Sequence, residues 1–206
     1  MTDTHATATP PVDPDAADRP ATFEEAVGRR LLVSFDALTL LDLAALRILR
    51  TRAHARPIER LVLRYTIAGE HAALWHAIAV LGLVLDRRAR AIYLRSIAAI
   101  AATQAANFLC KRLIARARPL IEDLPPLVPT ISGLSTPSAH ASTSFAAASS
   151  LGEALPRLPL WAAALVMTLS RPYMGVHYPS DSLAGAVLGA LVAREARRAH
   201  RRLARR

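Results

Sequence analysis

The chain has one cysteine and one lysine. A single cysteine excludes a disulfide framework. Cys110 also lacks partners for a metal site, so it is expected to be buried as a small apolar residue. Nowhere do His, Cys, Asp and Glu cluster with metal-ligand spacing, and no nucleic-acid-binding motif accompanies the sequence pI of about 11.2. Residues 1–22 lack the basic start and apolar core of a secretory signal. They hold four Asp and four Pro among Ala and Thr, a composition expected to be disordered. Of the 26 basic side chains, all but Lys111 are arginine. Where arginine is so strongly preferred, the surviving lysine has two readings. It is a snorkelling anchor at the end of an apolar stretch, or a compact point charge that the planar guanidinium fork cannot replace.

What is present is apolar surface and positive charge together. The 206 residues are 52% hydrophobic, with mean hydropathy +0.25 and formal net charge +10. Apolar residues collect in blocks and arginines collect between them, as in a polytopic membrane protein with basic loops. A nucleic-acid binder is disfavoured because the arginine clusters flank apolar spans. The expected fold class is all-α: a polytopic membrane bundle of about five spanning helices, preceded by an amphipathic helix in the interface.

Four regions follow from the pattern. Residues 1–22 form the tail. Residues 23–66 form an interfacial helical region, with Phe23, Val27, Leu31, Leu38, Leu41 and Leu46 on the apolar face of a helix over 23–50. Asp36 and Asp42 interrupt any clean spanning run there, and Pro57 opens a short second helix. Residues 67–193 form the membrane-embedded domain. Its spans are expected near Ile67–Leu85, Ala91–Cys110, His140–Leu155, Leu158–Leu169 and Ser182–Ala193. The first two are close to the roughly 20 residues a bilayer requires. The third is rich in Ser and Ala, which suits a helix buried among helices. Gly185 and Gly189 carry a small-x-x-x-small spacing that permits close helix contact. Residues 194–206 form an arginine-rich cytoplasmic tail near anionic lipid heads.

Three clusters lie at corresponding ends of alternating spans. The first is Lys111 with Arg118-Pro119, the second Pro137-Ser138-Ala139-His140, and the third Ser170-Arg171 with His177 and Asp181. Alternation brings all three to one membrane face. Lys111, Arg118 and Arg171 then supply three fixed positive charges suited to a phosphoryl group. Ser138 and nearby N–H groups at a helix start form a natural anion site. Two histidines suit a two-step transfer, one attacking phosphorus and the other protonating the leaving oxygen. Pro179 is expected to open a helix, which places Asp181 in its first turn and within reach of His177.

These residues closely resemble the three signature motifs of the type 2 phosphatidic acid phosphatases, whose fold and site are shared by vanadium-dependent haloperoxidases. The resemblance covers Lys111 to Asp181, within a helical frame from about residue 67 to 193. It implies that His177 is the nucleophile forming a phosphohistidine, that Asp181 orients it, and that His140 is the general acid and later helps activate water. It further implies that Lys111, Arg118, Ser138, Arg171 and the N–H of Ala139 bind phosphate oxygens, with no metal or other cofactor. Ala139 departs from the pattern, which usually has Gly there. The N–H can still donate, and a helix N-terminus does not demand positive φ.

The activity so implied is hydrolysis of a lipid phosphomonoester or diphosphate. Phosphatidate, a prenyl diphosphate, phosphatidylglycerophosphate and a polyprenyl-phosphosugar lipid are the open substrates. The bilayer and the lipid phosphate are the expected partners, with no nucleic acid, and the sequence does not set an oligomeric state. The location implied is the cell membrane, multi-pass, with an extracytoplasmic site. The rivals are a haloperoxidase-like enzyme holding vanadate, a non-catalytic lipid-binding protein with a relic site, and phosphate transfer to an acceptor other than water.

Residues beside the motifs carry weaker expectations. His71 and His76 are read as structural, Arg112 and Arg116 as contacts to lipid phosphates or water, and Glu122 and Asp123 as a solvated pair. Asn107 is a candidate orienter of Lys111. Tyr173 and Tyr178 are read as interfacial or pocket-lining. Charge agrees with the topology at Arg87, Arg88, Arg90, Arg157 and the tail. It conflicts at Arg50, Arg52, Arg56, Arg60 and Arg64, which fall with the site unless the first helix crosses.

Overall fold

The computed structural model describes the backbone over residues 23–203 and side chains over 37–202, except residue 53. The tail expected to be disordered, and the expected apolar positions Phe23, Val27 and Leu31, lie outside the described side chains. The chain divides into two units, 1–39 and 40–206. Among the described residues every regular element is helical: α1 (Phe23–Thr51), α2 (Arg56–Ala68), α3 (Ala73–Leu85), α4 (Arg90–Ile114), α5 (Ala139–Leu151), α6 (Arg157–Tyr173) and α7 (Pro179–Leu203), with short 3-10 turns at Glu70–Ala72 and Arg87–Ala89. The all-α expectation holds.

Local sequence explains the boundaries. Pro57 occupies the first turn of α2, where its fixed φ and missing N–H cost nothing. The Asp86 side chain accepts from the N–H groups of Arg88 and Ala89, turning the chain into α4. Pro179 begins α7 and puts Asp181 in its first turn, as the sequence predicts.

The expected first span is not one helix. Residues 67–85 break at Gly69–Ala72, where His71 (φ 52°) and Ala72 (φ 59°) are left-handed. No single helix among the described residues is long and apolar enough to cross a membrane; α2 with Glu70–Leu85 passes that test as a pair bent by 54°. The arginine-rich segment after Ala193 continues α7 through Leu203. The face of α1 that packs on the protein is not the one its leucines would mark. Leu38 and Leu41 are exposed, and the buried stripe is Asp42, Leu46 and Arg50.

The α5 helix is the axle. It packs against α4, α6 and α7, most extensively α7. Ten of its thirteen residues are buried, although most are Ala, Ser or Thr. Three of the hydroxyls return to carbonyls one turn back, Ser142 to Ser138, Thr143 to Ala139 and Ser150 to Ala146, so their burial is compensated locally. Trp75 donates to Ser144 at 2.8 Å and joins Tyr93, Ile100, Leu151 and Ala164 in the apolar cluster.

Close approach requires glycine at two positions on α7. A Cβ at Gly185 would lie 2.5 Å from the carbonyl oxygen of Ser138, and one at Gly189 only 1.9 Å from that of Ser142. The backbones touch, and neither atom can rotate away. Gly189→Val should therefore lower stability by at least ~1 kcal/mol, read as a drop in thermal midpoint in detergent. Gly133→Ala, where a Cβ meets nothing within 4 Å, is the matched control. Equal midpoints for the two variants would contradict this packing.

Candidate active site

The three sequence clusters meet at one cavity of about 250 Å³, lined among others by Lys111, Arg118, Ala139, His140, Arg171 and His177. Lys111 sits in the last turn of α4. Arg118 follows the helix, in a segment that bridges back antiparallel from Ala117 to Leu134. His140 is in the first turn of α5, Arg171 in the last turn of α6, and His177 in the turn before α7.

Backbone carbonyls hold the cations. Lys111 Nζ donates to Leu134 O (3.1 Å) and Ser135 O (2.9 Å), and Arg118 Nε donates to Ser132 O at 2.7 Å. Arg171 is 4% exposed and donates through Nη1 to Thr66 Oγ1 at 2.8 Å. Its Nε, like the hydroxyl of Ser138 at the head of α5, is buried without a hydrogen-bond partner in the structure. Buried polar atoms are normally paired, so both suit an incoming acceptor or donor. Ala139 does not adopt positive φ, so its departure from glycine carries no backbone strain.

The two histidines differ in their proton arrangement. Arg118 Nη1 lies 3.2 Å from His177 Nε2. A guanidinium only donates, so Nε2 accepts through its lone pair, which leaves the proton on Nδ1. Nδ1 faces Asp181 Oδ2 at 3.6 Å, an ion-pair distance slightly longer than a hydrogen bond, and Ser135 Oγ at 3.4 Å. For His140 the sense is reversed. Nε2 lies 3.1 Å from Thr66 O, and a carbonyl only accepts, so Nε2 bears the proton. Glu70 lies 3.8 Å from the same nitrogen.

Asp181 is fully buried. Its carboxylate accepts from the hydroxyls of Ser135 and Thr136, from Tyr178 N–H at 2.8 Å and from Arg116 Nη1 at 3.0 Å. Burial alone would raise its pKa; hydrogen bonds from His177, Ser135 and Thr136 outweigh burial and hold it far below the usual carboxylate range. Burial, first, pushes His177 well below the ordinary histidine value; Asp181 opposes the shift, and the charges of Arg118, Lys111 and Arg171 reinforce it.

Several expectations are corrected. Arg116 does not face lipid or water alone, because it pairs with Asp181 and, through Nη2, with Asp42 at 2.8 Å. Asn107 donates to Pro137 O and Ser142 Oγ rather than orienting Lys111. Tyr173 stacks on His54 at 4.0 Å and Tyr178 lies under Arg116 at 3.9 Å, so neither ring lines the cavity. His71 does line it, whereas His76 bonds Gln104. Glu122 and Asp123 are both exposed, as expected, and Asp123 also pairs with Arg47 at 2.8 Å. Arg50 is buried and donates to Pro125 O and Tyr173 O, so it is not a free basic loop residue. Cys110 is only half-buried. Sequence reading missed Ser135, Thr136, Thr66 and Glu70. Ser135 and Thr136 stand directly before the second cluster and could have been suspected, but Thr66 and Glu70 carry no signal.

A family model described as "PAP2 superfamily" matches residues 92–205. The decaprenylphosphoryl-5-phosphoribose phosphatase of Mycobacterium tuberculosis is 42% identical over 125 residues, 60% of this chain and 70% of that one. The protein of the same name from Mycolicibacterium smegmatis is 40% identical over 120 residues, 57% and 65% of the two chains. Among solved structures, Aquifex aeolicus LpxE superposes with a TM-score of 0.67 at 21% identity, covering 77% of this chain and 95% of that one. A transmembrane PAP2 type phosphatidylglycerolphosphate phosphatase from Bacillus subtilis gives 0.64 at 22% identity, covering 81% and 87%. At those identities the two structures speak for the fold alone.

The His177 environment makes a direct prediction. A lowered pKa means that the ring takes up its proton only at lower pH. In a ¹⁵N NMR titration in detergent, its signals should stay those of the neutral Nδ1–H tautomer down through about pH 6.5, the ordinary midpoint. A midpoint at or above that value would contradict the burial and the flanking cations.

Proposed function

The chain belongs to the PAP2 superfamily and is a phosphoric monoester hydrolase; on that premise we propose that it is a multi-pass membrane phosphatase acting on a lipid phosphate, by a phosphohistidine mechanism that needs no metal. The observation that carries the mechanism is the polarity of His177. Its Nε2 lone pair is held toward Arg118 at the cavity while Nδ1–H faces Asp181.

In this mechanism Lys111, Arg118 and Arg171 take the nonbridging phosphate oxygens, with Ser138 and the Ala139 N–H at the head of α5. His177 Nε2 attacks phosphorus and the bond to the lipid alkoxide breaks; His140, entering as the imidazolium, keeps Nε2–H on Thr66 O, gives its Nδ1 proton to the leaving oxygen, and is then the neutral base that takes a proton from water. Asp181 stabilises the positive ring that forms. Water, activated by His140, then attacks the phosphohistidine; the N–P bond breaks, and inorganic phosphate and the free imidazole return.

The distribution of side chains supports the membrane reading. Large apolar residues point outward on α6 (Leu158, Leu165, Leu169) and α7 (Leu183, Val187, Leu191), while α5 buries hydroxyls within. Outward apolar stripes of this extent suit lipid. The bent α2–α3 pair supplies one crossing, the early part of α1 lies in the interface, the site faces the extracytoplasmic side, and the basic end of α7 lies in the cytoplasm. The mycobacterial relatives make a polyprenyl-linked sugar phosphate the first substrate to test.

The test is phosphate release from a panel of lipid phosphates and diphosphates, in chelator, by wild type and His177→Ala. Wild type alone should release phosphate; equal release by both ends the proposal, and loss of activity in chelator ends its metal-free form. Lys111→Arg should lower turnover at least tenfold, about 1.4 kcal/mol of transition-state stabilisation. The bulkier fork cannot keep two carbonyls and still present a point charge. Full activity in that variant would show that the lone lysine has no special role.

A further inference from the structure

Asp42 lies far from the motifs and outside the residues the family model matches, yet it is 5% exposed and joined to the site. Its Oδ1 accepts the Ser180 N–H at 3.0 Å, and its Oδ2 accepts Arg116 Nη2 at 2.8 Å and the Ser180 hydroxyl. Arg116 Nη1 reaches in turn to Ser180 Oγ (2.8 Å) and Asp181 Oδ1 (3.0 Å), with its guanidinium 3.9 Å from the Tyr178 ring centroid. The guanidinium is thus forked between two carboxylates, with an aromatic ring on its face.

We infer that Asp42 and Arg116 are positioning residues for the hydrolysis: they fix the carboxylate of Asp181, and through it the ring of His177, without touching the substrate. This rests on the reading of His177 and Asp181 given above. Three observations support it. Neither residue lines the cavity. Asp42 binds the start of α7 from outside that helix, satisfying an N–H that the helix itself cannot pair. Arg116, with the Thr136 hydroxyl, occupies Asp181 Oδ1 and leaves Oδ2 to the Ser135 hydroxyl, the Tyr178 N–H and His177, so it helps to set which oxygen meets the imidazole. Without Asp42 the guanidinium keeps its contacts to Ser180 and Tyr178 but loses one of its two carboxylate anchors, which loosens its hold on Asp181 Oδ1.

The experiment compares wild type, His177→Ala, Asp42→Asn, Arg116→Gln and the Asp42→Asn/Arg116→Gln double variant. It measures kcat, KM and competitive inhibition by inorganic phosphate. Each single variant should lose roughly tenfold in kcat, with KM and phosphate inhibition within about twofold, because the phosphate-binding cations are untouched. The double variant should be no worse than the poorer single one, since residues acting through one link are not additive. If Asp42→Asn does not fold, Arg116→Lys takes its place. A lysine reaches one carboxylate at a time, so the same fall in kcat at constant KM is expected. Phosphate inhibition weakening in step with kcat, or losses that add in the double variant, would overturn the inference. Full activity in Asp42→Asn beside an inactive His177→Ala sinks this inference alone. Full activity in His177→Ala sinks the reading of the site and this inference with it.

Discussion

A buried carboxylate organises this molecule. Asp181 has no contact with solvent, and an ionised carboxylate in that position is costly unless it is both paired and hydrogen-bonded. Its partners come from separate pieces of chain. Arg116 follows α4, Ser135 and Thr136 precede α5, and the Tyr178 N–H precedes α7. Asp42 on α1 holds Arg116. The ends of three helices and the body of α1 must therefore converge before the charge is compensated. Once they do, the motif cations and both histidines are already near one another.

The same helices are arranged against the usual rule for soluble proteins. The most buried helix, α5, is made largely of Ala, Ser and Thr, while Leu158, Leu165 and Leu169 of α6 and Leu183 and Leu191 of α7 face outward. Its stability comes from backbone approach rather than from bulk, with Gly185 and Gly189 admitting the carbonyls of Ser138 and Ser142. Small residues let helices meet where the surroundings offer no hydrophobic drive for association. Hydropathy reports the outer surface of such a bundle and says little about its centre, so α5 is a weak apolar segment in the sequence and the axle in the fold.

That contrast explains what the sequence made legible. Lys111, Arg118, Ser138, His140, Arg171, His177 and Asp181 stand in local clusters, and alternation of helices was enough to bring them to one end. The helical class and the start of α7 at Pro179 were equally readable, because they depend on neighbours in the chain. The break at Gly69–Ala72 was not. Gly69, Glu70 and His71 do interrupt the apolar run, but so short a polar stretch does not by itself separate a bend from a continuous helix, and Ala72 is a type that rarely adopts the left-handed conformation. Thr66, which meets both His140 and Arg171, and Asp42, which meets Arg116, lie 74 positions from their partners His140 and Arg116. No spacing rule reaches that far. Asp42 looked like an interruption of an apolar face, when it is itself part of the buried one.

One feature of the cavity bears on how the site behaves between substrates. Three like charges gathered in one place repel, and an empty anion site would ordinarily be driven to open. Here the donors of Lys111 and Arg118 rest on the carbonyl oxygens of Ser132, Leu134 and Ser135. Those dipoles act as a built-in counter-charge. An arriving anion exchanges places with neutral acceptors instead of quenching bare cations, and a departing one leaves the cations already solvated by the protein. Occupied and empty forms are thereby brought closer in energy, a condition that favours turnover over retention of inorganic phosphate.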